Sequence, residues 1–416
     1  MLYYHWSYMY GFTTTSAGTG TVYTTSYTIP SNSTGVTLYA QWKQSYTINY
    51  EGNGDSGLYS MSVTHKHVIE GDSFILYPSN FKRDGYGFLG WSFTQIDPDA
   101  SNFSTLLANA TVYGPMETIT APARTSATMT LYAVWIKSAG SMQNWAGCSS
   151  MTAGNVTART DTRDNNTYAI AKLADGNCWM IENLRLNHTA SITTSNTQGF
   201  GGVFNGLAAS ESANFTTSTT SNSLYGIEGS GSTYIIDASS HTYSSNDNRA
   251  YSIPRYNNMN TTNTITNMTA ADQNVYSYGN YYNHAAAIAD TTMYTDTTTS
   301  ESSNASICPK GWKLPSGGSS TKEAETLATA TKINSSDTIF AGLRRYPNNF
   351  IFSGEYYSSG IYSVRRRGLG GAYYTRSTLN TSYYRTAASL IVQYESTASQ
   401  WTYKYYGASV RCLASS

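Results

Sequence analysis

The run Met129-Thr130-Leu131-Tyr132-Ala133-Val134-Trp135 repeats an earlier one, Val36-Thr37-Leu38-Tyr39-Ala40-Gln41-Trp42, and each copy closes a Thr-rich stretch. Leu38, Ala40 and Trp42 alternate with Thr37, Tyr39 and Gln41, which is the period of a strand with one buried face. Leu38, Ala40 and Trp42 are therefore expected in a core, and the repeated tryptophans are framework and not a ligand cage. Upstream, Gly85-Tyr86-Gly87-Phe88-Leu89-Gly90-Trp91-Ser92 precedes the second copy, and Trp6-Ser7 is the remnant of its counterpart. The chain thus opens on an internal β repeat whose first copy is truncated at its start.

These paired signatures resemble the B-repeat of internalin-like bacterial surface proteins, the Listeria-Bacteroides repeat, over about residues 1 to 137. The resemblance implies small β-grasp-like units strung along a cell-surface protein, here a truncated repeat at 1–44 and a second at 45–137. Small polar residues at Lys137-Ser138-Ala139-Gly140-Ser141 then read as a short linker.

From Met142 onward the character changes. Met142-Gln143-Asn144-Trp145-Ala146-Gly147-Cys148 leads to Asp161-Thr162-Arg163-Asp164-Asn165-Asn166-Thr167-Tyr168, then to Cys178-Trp179-Met180-Ile181-Glu182-Asn183-Leu184. Tyr278-Gly279-Asn280-Tyr281-Tyr282, Cys308-Pro309-Lys310-Gly311-Trp312-Lys313-Leu314-Pro315 and Ser409-Val410-Arg411-Cys412 come next, in that order. This series closely resembles the Fibrobacter succinogenes major paralogous domain, with Asn165 in place of a motif Gly and Leu173-Ala174-Asp175-Gly176 in place of IGxQ. The resemblance implies an α+β fold for residues 138–416, C-type-lectin-like and related to formylglycine-generating enzymes and to the variable proteins of diversity-generating retroelements. Residues 186–275 form a Ser/Thr/Asn/Gly-rich insertion, expected as loops with short strands. Glu323 to Thr331 is the best helix candidate, with acidic residues near its start.

Composition narrows the function classes. Only 12% of residues are charged, against roughly a quarter in an average soluble domain, and 25 basic side chains cancel 25 acidic ones. Hydroxyls and amides must solvate such a surface, which suits an extracellular protein. A chain with no net basic field has no general hold on nucleic acid or an anionic membrane. The 37 Tyr outnumber the 12 Phe and 8 Trp together, and Tyr serves both half-exposed strands and recognition surfaces. No apolar run is long enough to span a membrane. No export signal is visible in the N-terminal residues. Cys148, Cys178, Cys308 and Cys412 include no CxxC pair and no His at ligand spacing, so disulfides and an oxidising compartment are the better reading.

Catalytic motifs are nearly absent: there is no HExxH, no GxSxG and no P-loop. The formal GxGxxG at Gly52-Asn53-Gly54-Asp55-Ser56-Gly57 is followed by strand-like sequence where a pyrophosphate site requires a helix, so it reads as a hairpin loop. The chain is read as a binding protein and not an enzyme, with no catalytic residues, no metal ligands of fixed spacing and no cofactor. Calcium is conceivable at Asp97 and Asp99 or at Asn246-Asp247-Asn248. A formylglycine-generating type of enzyme would need paired reactive thiols, and a structural envelope component is the other alternative.

Binding chemistry concentrates near the end of the chain. Residues 344–416 hold nine basic and two acidic residues, a local balance of +7, together with 12 of the 37 tyrosines. Many tyrosines come as doublets, and neighbouring strand side chains point to opposite faces, so one ring of each doublet is expected outside the core. Tyr356, Tyr357, Tyr362, Arg365, Tyr373, Tyr374, Tyr383, Tyr384, Arg385, Tyr403, Tyr405 and Tyr406 are the candidate ligand contacts, within a variable region at 344–411. The partner is a protein or glycan on another cell or surface. The retroelement resemblance implies that such a stretch varies between sibling proteins. Cys148 and Cys178 flank one family-like module and Cys308 and Cys412 bracket the other, which implies pairing within each, one of three possible connectivities.

Overall fold

The computed structural model describes residues 3–4, 7–56, 64–186, 191–193, 195–198, 225–230, 233–237, 251–253, 261–262, 276–289, 306–332, 339–357, 363–365, 368–378, 386–393, 399–404 and 406–415. The strands that organise it are β1 (Ser7–Thr13), β2 (Tyr39–Glu51), β3 (His65–Ile69), β4 (Tyr86–Ser92), β5 (Thr128–Ser141), β6 (Val156–Thr160), β7 (Thr167–Lys172), β8 (Cys178–Met180), β9 (Trp312–Lys313), β10 (Gly370–Thr378), β11 (Thr386–Gln393), β12 (Ser399–Tyr403) and β13 (Leu413–Ala414). Short helices α1 (Phe103–Asn109), α2 (His284–Ala287), α3 (Glu323–Ala330) and α4 (Ile339–Arg344) lie between them.

The second repeat signature builds the longest strand, β5, and the main sheet grows from it. The sheet runs β1-β2-β5-β6-β7-β8-β13-β9, with β3 added to β2 and β4 to β5. It is mixed: β5 lies parallel to β2, pairing Tyr50 with Leu131, and parallel to β6, pairing Ser138 with Ala158, but antiparallel to β4. A second, antiparallel sheet has the order β10-β11-β12.

The α+β, C-type-lectin-like expectation is overturned here. Strand makes up 37% of the structure and helix 11%, and its centre is one large mixed sheet. The longest described helix, α3, has eight residues and starts where expected, at Glu323. The physical reason is compositional: Tyr, Thr and Val favour strands, and frequent Ser, Asn and Gly leave few long stretches of helix formers. The core is built by burying strands on both faces.

That two-sided burial is regular. On β7, Tyr168 and Ile170 enter one core while Ala169 and Ala171 enter another; on β8 Cys178 and Met180 divide in the same way from Trp179. A third core holds Tyr46, Ile48, Phe88, Trp91, Leu131, Ala133 and Trp135, so the second repeat buries its alternating face and both its tryptophans. The first copy does not: Leu38 is 40% exposed and Trp42 44% exposed, against the expectation. The cause is position, because Tyr39 to Trp42 pair with β1 alone among the described strands, whereas β5 is flanked by β2 and β4 under Phe88 and Trp91.

The segment read as a linker is also strand. Lys137 pairs with Tyr86 of β4, and Ser138 and Ser141 pair with β6, so β5 runs unbroken across the expected boundary at 137/138. Leu89, Ile96, Met116 and Val134 share a core with Trp179, Leu327, Phe350 and Leu413. Of the insertion at 186–275, the strands Ser191–Thr193, Tyr225–Ser230, Thr233–Asp237, Tyr251–Ile253 and Thr261–Thr262 are described.

Candidate functional site

The frame that presents residues 344–411 is assembled from the ordered motifs. Asp161 and Arg163 form a fully buried ion pair at 2.7 Å, and Arg163 Nη1 donates to Ile307 O beside Cys308. Glu182 accepts from Ala169 N of β7 and from Phe88 N of β4, and Arg185 Nη1 lies 3.1 Å from its other oxygen. Burial raises the Glu182 pKa, against the pull of Arg185 and those N–H groups. Asn183 Nδ2 donates to Tyr278 O, and its Oδ1 accepts from Arg411 Nε at 2.8 Å. Arg411 also donates to the carbonyls of Asn348 and Asn349 and lies 4.2 Å over the Phe350 ring. Its removal from water lowers its pKa to about 10. Trp312 Nε1 donates to Met142 O at 2.8 Å. Motifs far apart in the chain thus spend their polar atoms on one another, as buried polar groups must.

The cysteines finish the frame. Cys148 is bonded to Cys178 and Cys308 to Cys412, the expected pairing, and no described cysteine is free. Both bonds fit an oxidising, extracellular setting. No helix among the described residues is long and apolar enough to cross a membrane.

On this frame β10 is covered on both faces. Tyr373 is 3% exposed, and its hydroxyl accepts from Ile351 N at 3.0 Å and donates to Ile351 O at 2.8 Å. Tyr374 is fully buried against the His284 ring of α2, with its hydroxyl 2.7 Å from Tyr403 O and 2.9 Å from Tyr406 O. Tyr406 is buried as well, and Tyr403 meets it edge-on at 5.2 Å while remaining half-buried. Tyr373, Tyr374 and Tyr406 are therefore frame, and the expectation that one ring of each doublet faces outward fails at Tyr373-Tyr374. The doublet does split between two faces, but each face has its own core: Tyr374 belongs to one and Tyr373 to the other.

The remaining candidates are placed more sparsely. Tyr356 and Tyr357 lie on the strand Glu355–Tyr357, which pairs with Ser363–Arg365, so that Tyr356 stands opposite Val364 and Arg365 opposite Glu355. Tyr362, Tyr383, Tyr384, Arg385 and Tyr405 lie outside the described residues, as does Asn246-Asp247-Asn248. At the other calcium candidate, Asp99 accepts from the Tyr86 hydroxyl, Arg83 and Lys137, and Asp97 accepts from Asp99 N. A carboxylate satisfied by a phenol and two cations, its pKa lowered chiefly by the Tyr86 hydrogen bond, is an ion-pair site and not a cation cradle. In the GxGxxG run, Asn53 is buried and donates to Ile96 O and Ala133 O, and Trp135 Nε1 donates to Gly52 O, so the loop is packed into the repeat.

One concave feature has no signature in the sequence. It brings Trp145, Arg159 and Tyr346 together with α1. Trp145 stands in one of the ordered motifs, but nothing in the sequence joins it to Phe103 or Tyr346. Comparison of the chain with protein-family models, curated proteins and solved structures finds no match.

Proposed function

We propose that this chain is a secreted or cell-surface binding protein that recognises a protein or glycan through Tyr- and Arg-rich segments of residues 344–411. The observation that carries the reading is the double burial of β10 and β11. Alternate residues anchor in two cores, and the Cys308–Cys412 bond fastens the end of the chain beside them. A frame held on both faces can carry variable connecting segments at little cost to its stability, which is how binding loops sit on a rigid scaffold. Residues 358–362, 366–367, 379–385 and 394–398, which fall in sequence between the described strands of this region, contribute Tyr362, Arg366, Arg367, Tyr383, Tyr384, Arg385 and Tyr394. Rigid rings beside guanidinium groups and small hydroxyl residues are paratope chemistry. The ordered motifs that resemble the major paralogous domain support the same assignment, and with it membership of a set of sibling proteins that differ in this region.

The test is to screen the full oxidised chain against printed glycans, extracellular proteins and intact cells, beside a reduced and alkylated control. Saturable binding confined to the oxidised chain is expected. Signals that are the same for both forms would overturn the reading.

A further inference from the structure

An open groove of about 750 Å³ runs between α1 and β6, where residues of the second repeat meet those C-terminal to it. Its size lies within the range of small-molecule sites. Phe103 and Leu107 of α1, Ile136 of β5 and Tyr346 give it an apolar and aromatic lining, and Arg159 of β6 is the one charged residue among those described on it.

Arg159 is held on two sides. Its guanidinium carbon lies 5.4 Å from the centroid of the Trp145 ring, and Trp145 stacks at 5.6 Å on the buried Trp312 with the rings 15° apart. Nη1 donates to Ala139 O. Nε is buried and has no acceptor, and no described carboxylate forms an ion pair with the group. Partial burial without a compensating acid lowers its pKa. With Nε buried and Nη1 bound to Ala139 O, Nη2 is the guanidinium nitrogen left for a ligand, and a charge-assisted hydrogen bond from it suits a carboxylate oxygen. One cation in a lining that joins Phe103, Leu107 and Ile136 to the neutral polar Ser104, Asn155 and Thr157 is too little charge for a polyphosphate and suits a monoanion with a partly apolar body.

We propose that this groove binds a small organic acid, its carboxylate accepting from Nη2 of Arg159 and its apolar body laid against Phe103, Leu107 and Ile136. Its ligand is a small acid and not the partner sought by the array screen, so the two readings can fail separately.

The probe is 2-naphthoate, with 2-naphthamide as its neutral counterpart, titrated calorimetrically into the full oxidised chain. Saturable naphthoate binding is expected, with the amide roughly tenfold weaker or more, the size of a charged hydrogen-bond pair. Arg159→Gln should remove the preference for the acid and leave the amide unchanged, and Arg159→Lys should recover only part of it. Leu107→Glu, which places a like charge in the groove, should abolish naphthoate binding whether or not Arg159→Gln folds normally. Equal affinity for acid and amide, naphthoate binding unchanged in Arg159→Gln or Leu107→Glu, or no saturable binding would overturn the assignment.

Discussion

Single side chains in this protein act through what burial does to their chemistry. His284 shows it most directly: it is buried against Tyr374, its Nε2 is 3.2 Å from Thr375 O, and its backbone N–H donates to Lys404 O at 2.9 Å. Burial, helped by the positive charge of Lys404, pushes its pKa down to about 3. A histidine whose folded pKa lies below its unfolded value of about 6.5 stabilises the fold fully above that value. The unfolded chain takes up the proton first, so this stability is lost as pH falls from about 6.5 toward 3. At pH 5 the loss reaches about 2 kcal/mol. Buried Glu182 has its pKa raised and so works in the opposite direction, which is why the test must be differential. The difference in urea midpoint between the native chain and His284→Gln should therefore change between pH 7.5 and pH 5, with the native chain losing more; a constant difference would refute it. None of this is legible in the sequence, where His284 is one of six scattered histidines. Its burial depends on Tyr374 and Thr375, some 90 residues downstream.

Elements are legible wherever their signal is local. The alternation that predicts a strand at the repeat signature holds in full in the second copy, which lies inside β5, whereas β2 takes in only Tyr39 to Trp42 of the first. The segment after Lys137 is strand because small polar residues look like a linker only until a neighbouring strand supplies hydrogen bonds, and here β6 supplies them. The expectation at the Tyr373-Tyr374 doublet fails for a related reason: period two fixes opposite faces, but it cannot reveal that both faces are covered. Gly87 offers a sharper test of the contact between β4 and β7. A Cβ added there would lie 2.4 Å from Ala169 N and 2.7 Å from Ala169 Cα, so backbone and not a movable side chain stands in its way. Gly87→Ala should cost about 1–3 kcal/mol as overpacking, read from the urea midpoint. Ala169→Gly, which deletes only a side chain, should fail to rescue it; full rescue or an unchanged midpoint would show that the two strands do not meet this closely.

At the scale of the molecule the sequence motifs and the recognition chemistry separate into different sets of residues. Asp161, Arg163, Glu182, Asn183, Trp312 and Arg411 bond to one another or to backbone at a distance, and two disulfides close loops of 30 and 104 residues around them. In the chain-entropy picture such crosslinks contribute about 4 and 5 kcal/mol. The pairing is within reach of the sequence because each pair brackets one run of motifs. The mainly β architecture is legible in the Tyr- and Thr-rich composition but not in the motifs, which identify which residues bond and say little about the proportion of helix between them. Under the proposed function the labour divides: Tyr373 and Tyr374 hold the frame while Tyr383, Tyr384 and Arg385 meet the ligand. The most direct measurement is to compare the triple variant Tyr383→Ser, Tyr384→Ser, Arg385→Ser with the native oxidised chain on the same glycan, protein and cell array, with the melting temperature of each recorded alongside. The variant should keep the native melting temperature and lose the saturable binding; a variant that retains that binding undiminished would contradict the division.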